Sequence, residues 1–287
     1  MRVFRWLSQI IFLIYLALLP GSIVVVALDR VPAWGGWMGG ALLIIQGAAV
    51  LCWLIGWHGR RGVLAALPVF LLAWGVEHLG VTTGFPFGRY EYTAMLWPQF
   101  FGVVPLPITC AWLMVAFGAW QLVCAAEPAQ PARLRTPALP GRRHWPALAA
   151  ATLVLLLDLQ IETIATLVNR YWVWHDRGPY YGVPTANFIA WWLVGLGMAL
   201  LVAWILPGHR QPVTTGLVRR RVWQAESIPA YLYLLSTLMF TVVNLARGHT
   251  LAGLVGLGTL LAISLVGLLV RGYVLVRPQP DRRARGD

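Results

Sequence analysis

Asp158 and Glu162 stand one helical turn apart within Trp145–Val168, a run otherwise apolar enough to cross a bilayer. A charge at the bilayer centre costs about 2.5–3.5 kcal/mol, so an acid kept there faces the bundle interior or a wet cavity and is a candidate for chemistry. Thr166 and Asn169 continue the spacing, which predicts one inward-pointing polar seam: Asp158 deeper, Glu162 about 6 Å nearer the surface. Glu77, followed by His78, lies toward the end of the earlier apolar run Leu64–Val81. The two runs point the same way, so Glu77 and Glu162 are expected to reach comparable depth and the three carboxyls to converge.

Each acid-bearing run leads into an aromatic segment rich in Gly and Pro. After Glu77 comes Thr83-Gly-Phe-Pro-Phe-Gly-Arg-Tyr-Glu-Tyr-Thr93, leading through Trp97-Pro98 and Gly102-Val-Val-Pro105. After Glu162 comes Tyr171-Trp-Val-Trp-His-Asp-Arg-Gly-Pro-Tyr-Tyr-Gly-Val-Pro184, leading to Asn187-Phe188. Pro fixes φ and Gly permits close approach, so these are shaped loops rather than plain linkers. Tyr90, Tyr92, Trp172, Trp174, Tyr180 and Tyr181 can therefore line a pocket or serve as an interfacial belt. The two units suggest a weak internal duplication: acid-bearing helix, aromatic loop, helix.

The elements that position these residues must be membrane helices. The chain is 59% hydrophobic and 11% charged, with a mean hydropathy of +0.70, beyond what a soluble core uses. Eight runs near the ~20-residue spanning length are expected: Trp6–Leu28, Gly36–Trp57, Leu64–Val81, Phe100–Cys124, Trp145–Val168, Asn187–Leu206, Ile228–Leu245 and Leu251–Val270. The fold class is all-α, a polytopic bundle, since backbone groups in lipid must be satisfied within each segment. The first run is too long for a signal-peptide core and is taken as a retained helix.

All 22 basic residues are Arg. With the N-terminus inside, inner segments hold 17 of them and outer segments only Arg30, Arg89, Arg170, Arg177 and Arg247. That asymmetry predicts both termini in the cytoplasm of a multi-pass plasma-membrane protein. It also accounts for the net charge of +12 without nucleic acid, for which no basic-aromatic module is present. The connections Ala125–His144 and Pro207–Arg221 read as basic inner loops, and residues 277–287 as a disordered tail after a single membrane domain, 1–276.

Lysine is absent, which excludes a retinal Schiff base. Cys52, Cys110 and Cys124 match no metal or redox spacing and read as small buried hydrophobes. His78 and His175, beside Glu77 and Asp176, lack metal-motif spacing, so no metal or other cofactor is expected. Trp6, Trp34, Trp37, Trp53, Trp57, Trp120 and Trp145 read as interfacial anchors.

Residues 70–205 resemble the carotenoid-biosynthesis hydratases, integral membrane enzymes that hydrate the acyclic end of a carotenoid. The resemblance rests on the Thr83–Thr93 motif, Gly102-Val103 with Pro105 and Trp112, Trp172-x-Trp174, Gly178–Pro184 and Asn187-Phe188. The family has an Asp-Pro step in the fifth run where this chain has Glu162-Thr163, so either Asp158 or Glu162 is the matching acid. The resemblance implies a carotenoid substrate in membrane lipid, beside other enzymes of the same pathway.

Hydration of a trisubstituted alkene needs an acid to protonate the less substituted carbon, a surface that tolerates a tertiary cation, and water. An apolar site and a second carboxyl both favour a neutral acid near pH 7, and aromatic faces attract a cation. The expected catalytic set is Asp158, Glu162 and Glu77. Thr83, Phe87, Tyr90, Tyr92, Trp172, Trp174, Tyr180, Tyr181 and Asn187 are the expected substrate contacts. Two alternatives use the same residues: an end-group cyclase, and a non-catalytic carotenoid or lipid carrier or transporter. The Gly/Pro punctuation, concentrated in loops, speaks against the broken midplane helices of a transporter.

Overall fold

The computed structural model describes residues 1–126, 144–206 and 225–276. Within them lie eight helices long and apolar enough to span a membrane: α1 (Arg2–Ala27), α2 (Met38–His58), α3 (Arg60–Thr83), α4 (Leu106–Ala126), α5 (His144–Thr163), α6 (Thr185–Ile205), α7 (Ile228–Ala246) and α8 (Thr250–Val276). The protein is thus a multi-pass helical bundle. The two inner loops and the tail expected from the sequence lie mostly or wholly outside the described residues.

Burial follows position in the bundle. Every residue from Pro107 to Ala119 of α4 is buried, and α4 packs on α2, α3, α5 and α7 as the central post. Its apolar residues run all round the helix, as a fully enclosed segment requires. By contrast α1 and α8 turn rows of Leu, Ile and Val outward, the surface a lipid-facing helix keeps. Pro20 and Pro68 sit inside α1 and α3 without ending them, so not all Gly/Pro punctuation falls in loops.

The connections α1–α2, α3–α4, α5–α6 and α7–α8 gather at one end, the loop end, where Arg247 bonds Asp29 at 3.0 Å and Thr93 donates to the Arg170 carbonyl at 2.8 Å. Two small antiparallel ribbons form there. In the first, β1 (Tyr90–Tyr92) pairs with β4 (Trp172–Trp174), Tyr90 opposite Trp174 and Tyr92 opposite Trp172. In the second, β2 (Gln99–Phe100) pairs with β3 (Val104–Pro105). This second ribbon corrects the expected fourth span: Phe100 through Pro105 are hairpin, and the helix begins at Leu106. Gly102 and Gly182 carry φ of 68° and 84°, a left-handed turn just before the Val-Pro step in each segment.

Two further expectations change. Trp6, Trp34, Trp37 and Trp145 are exposed, as interfacial anchors should be, but Trp53 is buried and donates its indole N–H to the Glu226 carbonyl at 3.0 Å. On α5 the regular turn gives way after Thr163 to a π-helical turn, Ile164–Val168, with the Asn169 amide bonded back to the Ile164 carbonyl at 2.8 Å. A π turn inserts an extra residue and breaks the 3.6 spacing. Of the predicted seam, Thr166 turns its hydroxyl onto the Glu162 carbonyl at 2.7 Å, whereas Asn169 lines the same cavity as Glu162.

Candidate active site

Each of two acids is held by the aromatic strand that follows it. Alternate residues of a strand share a face, so Tyr90 and Tyr92 of β1 point together, as do Trp172 and Trp174 of β4. Both tyrosine hydroxyls donate to Glu77 Oε2 at 2.6 Å. Both indole N–H groups donate to Glu162 Oε2, Trp172 at 3.2 Å and Trp174 at 3.0 Å. Pairing of β1 with β4 sets the four rings side by side, Tyr90 to Trp174 at 5.0 Å and Tyr92 to Trp172 at 6.1 Å between centroids.

The remaining oxygens have separate partners. Glu77 Oε1 accepts from the Trp112 indole at 2.8 Å, and Trp112 stacks on Trp191 of α6 at 3.9 Å. Asn187, in the first turn of α6, donates its amide to Glu162 Oε1 at 3.0 Å and to Asp158 Oδ2 at 3.2 Å. Asp158 Oδ1 is buried with no hydrogen-bond partner among the described residues. All three acids are buried, and none belongs to an ion pair among the described residues. Arg89 pairs instead with Asp176 at 3.0 Å; the Arg89 backbone amide, donating at 2.8 Å, and then its side chain hold that carboxyl below its ordinary range.

A cavity of about 580 Å³ opens onto this cluster, within the range of small-molecule sites. Glu77, Glu162, Asn187, Tyr90, Tyr92, Trp172 and Trp174 line it with Phe87 and Trp191. The other walls are largely apolar faces of α1, α2, α4 and α7, with Tyr15, Ser22 and Gln46 among them and Asp29, Asn169 and Arg170 nearer the loop end. Burial, and then the neighbouring Glu77, push the Tyr90 and Tyr92 phenols well up, so both keep the proton they donate.

Most residues expected at the site are brought together: Glu77, Glu162, Phe87, Tyr90, Tyr92, Trp172, Trp174 and Asn187 all meet the cavity. Asp158 lies one turn below Glu162, behind Asn187, off the cavity wall. Tyr180 donates to the Leu159 carbonyl at 2.7 Å, and Tyr181 accepts from the Leu251 amide at 3.1 Å; both brace helix ends outside the cavity. Thr83 donates to the Leu79 carbonyl at 2.6 Å and accepts from the Phe85 amide, a cap on α3. Among the described residues no three His, Cys, Asp or Glu side chains gather as a metal-binding set. Trp191 and the α1 wall of the cavity were not anticipated; the Trp191-Trp192 pair beside Asn187 was the available signal for the first.

The family described as "Carotenoid biosynthesis protein" matches residues 38–264. A relative in Haloarcula japonica, the bisanhydrobacterioruberin hydratase, is 29% identical over 146 residues, which is 50% of this chain and 45% of that protein. The match thus spans about half the length of that curated relative. No solved structure matches the chain.

Proposed function

The chain belongs to the carotenoid biosynthesis protein family, and from that premise we propose that it is a cofactor-independent hydratase that adds water to the terminal double bond of an acyclic carotenoid. The observation that carries this reading is Glu162, a buried carboxyl fixed by three N–H donors on the wall of a largely apolar and aromatic cavity that Glu77 also lines.

In this reading the end of the polyene enters the cavity while the rest of the rod stays in lipid. Glu162, as the neutral acid, gives its proton to the less substituted alkene carbon, leaving a tertiary cation on the other. The faces of Trp172, Trp174 and Tyr90 attract that cation, and the Glu77 carboxyl, locked by three donors, supplies opposite charge without reaching it as a nucleophile. Water adds to the cation and its surplus proton returns to Glu162, so the net change is one water added. Asp158, linked to Glu162 through Asn187, serves as a second proton-holding group. Two carboxyls of unlike surroundings sharing one hydrogen-bonding bridge suit such a division of labour.

The hydratase named in Haloarcula japonica supports hydration over cyclisation. The arginine asymmetry supports a plasma-membrane topology with both termini inside, the loop end and its acids facing outward. The test is expression of the chain in a host that accumulates an acyclic carotenoid. A product heavier by one water, lost in Glu162→Gln, is expected; an isomer of unchanged mass would replace the reading with a cyclase, and unchanged pigment with a carrier.

A further inference from the structure

The cavity continues well below the acids, and helix register gives its depth. Asp29, just past α1, meets Arg247, just past α7, and farther down the Phe12 and Tyr231 rings lie 6.2 Å apart. The two helices therefore run side by side in the same direction. Thr163, next to Glu162, bonds Asn244 of α7, which puts Glu162 near the level of Val26 on α1. The Tyr15 hydroxyl meets Gln46 of α2 and Ser236 of α7, and the Gln46 amide donates to Ser236 Oγ at 3.0 Å. Ser236 lies about 12 Å below Asn244 along α7. On α1 and α2 the cavity wall reaches no deeper than Tyr15 and Gln46 among the described residues, so this hydrogen-bonded trio, joining three helices, is the floor.

Between the acid and the floor, part of the wall is also the outside of the bundle. Leu18 and Gly21 of α1 line the cavity, yet Leu18 is 46% exposed and Gly21 is exposed as well. A Cβ on Gly21 would meet nothing within 4 Å, so the wall has a gap there, about 8–12 Å below the level of Glu162. The loop end is different in kind. Asp29, Asn169 and Arg170 line it, and Asp29 is tied to Arg247.

A polyene of carotenoid length is about as long as the hydrocarbon core, ~30 Å, more than twice the distance from the acid to the floor. With its end at Glu162, most of it must lie outside the cavity. The floor is closed, and the loop end leads an apolar rod past charges into water at a cost of about 25 cal/mol for every Å² exposed. We propose that the polyene reaches Glu162 sideways from the bilayer through the gap at Leu18 and Gly21, its last ~10 Å enclosed along α1. This inference rests on the polyene reading of the cavity and goes beyond it by naming the entrance and the residues that set its width.

Gly21→Phe fills the gap, and the open space around Gly21 leaves room for the ring. Gly267→Phe on α8, where nothing lies within 4 Å either, makes the same change away from the cavity. The full chain and both variants are expressed in cells that accumulate an acyclic carotenoid. Polyene absorbance that copurifies with the protein reads binding; hydration of the polyene, and of a short terpene alkene with the same end group, reads turnover. Gly21→Phe is expected to lower both the copurified polyene and its hydration about tenfold or more, as steric exclusion from an apolar pocket does. Hydration of the short alkene, which fits inside the cavity, should stay within about twofold, and Gly267→Phe should change none of the three. Undiminished polyene binding in Gly21→Phe, or an equal loss for the short alkene or in Gly267→Phe, overturns the proposal, as does a wild type that carries phospholipid and no polyene. Leu18→Trp narrows the same gap and decides if Gly21→Phe does not fold. If no alkene is hydrated yet polyene copurifies and Gly21→Phe removes it, the side entrance stands and the hydratase reading fails. If wild type and Gly21→Phe hydrate the polyene equally, the hydratase reading stands and the side entrance fails.

Discussion

Tyr90 stands opposite Trp174 across a three-residue ribbon, their rings 5.0 Å apart, and each donates to a different buried acid, Glu77 and Glu162. The ribbon is a joint between two similar halves. A helix carrying an acid is followed by an aromatic-x-aromatic strand whose two polar tips return to that acid, and the two strands then pair. The internal duplication suspected from the sequence has this structural counterpart, although α5 ends in a π turn and α3 in a Gly84 cap.

Glu162→Gln keeps the size and the hydrogen-bond acceptor and removes the proton. Under the proposed mechanism, hydration in pigment-producing cells falls about 10²–10⁴-fold, the usual worth of a positioned general acid, with the protein still in the membrane. Asp158→Asn acts through Asn187, so it should slow turnover less than Glu162→Gln. An equal or larger loss in Asp158→Asn would move the donor role to Asp158.

Glu77 has three donors and no acceptor around it. Tyr92→Phe removes one of them and Trp112→Phe another, each leaving a buried carboxyl less well satisfied. A loss of about 1–3 kcal/mol of stability per change is expected, measured as thermal unfolding in detergent. Glu77→Gln should be worse than either, because an amide faced by three donors has only one oxygen to offer them.

Gly80 sits beneath the ribbon. A Cβ there would lie 2.7 Å from Phe87 Cδ2 and 2.9 Å from the Tyr90 hydroxyl. Gly80→Ala must displace Tyr90 from Glu77, so it is expected to destabilise by about 1–3 kcal/mol as overpacking does and to lower hydration in proportion. Gly197→Ala on α6, where nothing lies within 4 Å, is the control and should be near neutral.

His249 joins α7 to α8, facing Asn244 at 3.2 Å and the Tyr181 ring at 5.6 Å. Burial, and then the charge of Arg247, hold its imidazole below the ordinary 6.5. The unfolded chain then binds the proton more readily, so stability is present above 6.5 and lost as pH falls through it. The unfolding midpoint should drop between about pH 7 and 5.5, and His249→Gln should flatten that drop.

Much of the site was readable because membrane sequences are sparse in polar residues. An acid in an apolar run is conspicuous, and so is a Tyr-x-Tyr or Trp-x-Trp segment beside it. Glu77, Glu162, Asn187 and the four ribbon aromatics were found that way. Tyr180, Tyr181 and Thr83 belong to the same motifs but brace loops, a distinction that spacing does not carry. Tyr15 and Gln46 gave no signal, since a lone Tyr or Gln in a span usually meets a neighbouring helix.

Hydropathy and arginine placement by themselves determined eight spans and the shared side of the two aromatic segments, because a bilayer imposes one length and one backbone solution on every crossing. Only the tertiary structure decided which acid meets the cavity. The backbone period puts Asp158 and Glu162 on one face, but the position of Asn187 on α6 and the pairing of β1 with β4 are contacts between segments far apart in the chain. Those contacts, with the π turn that redirects the end of α5, leave Glu162 on the cavity wall and Asp158 behind it.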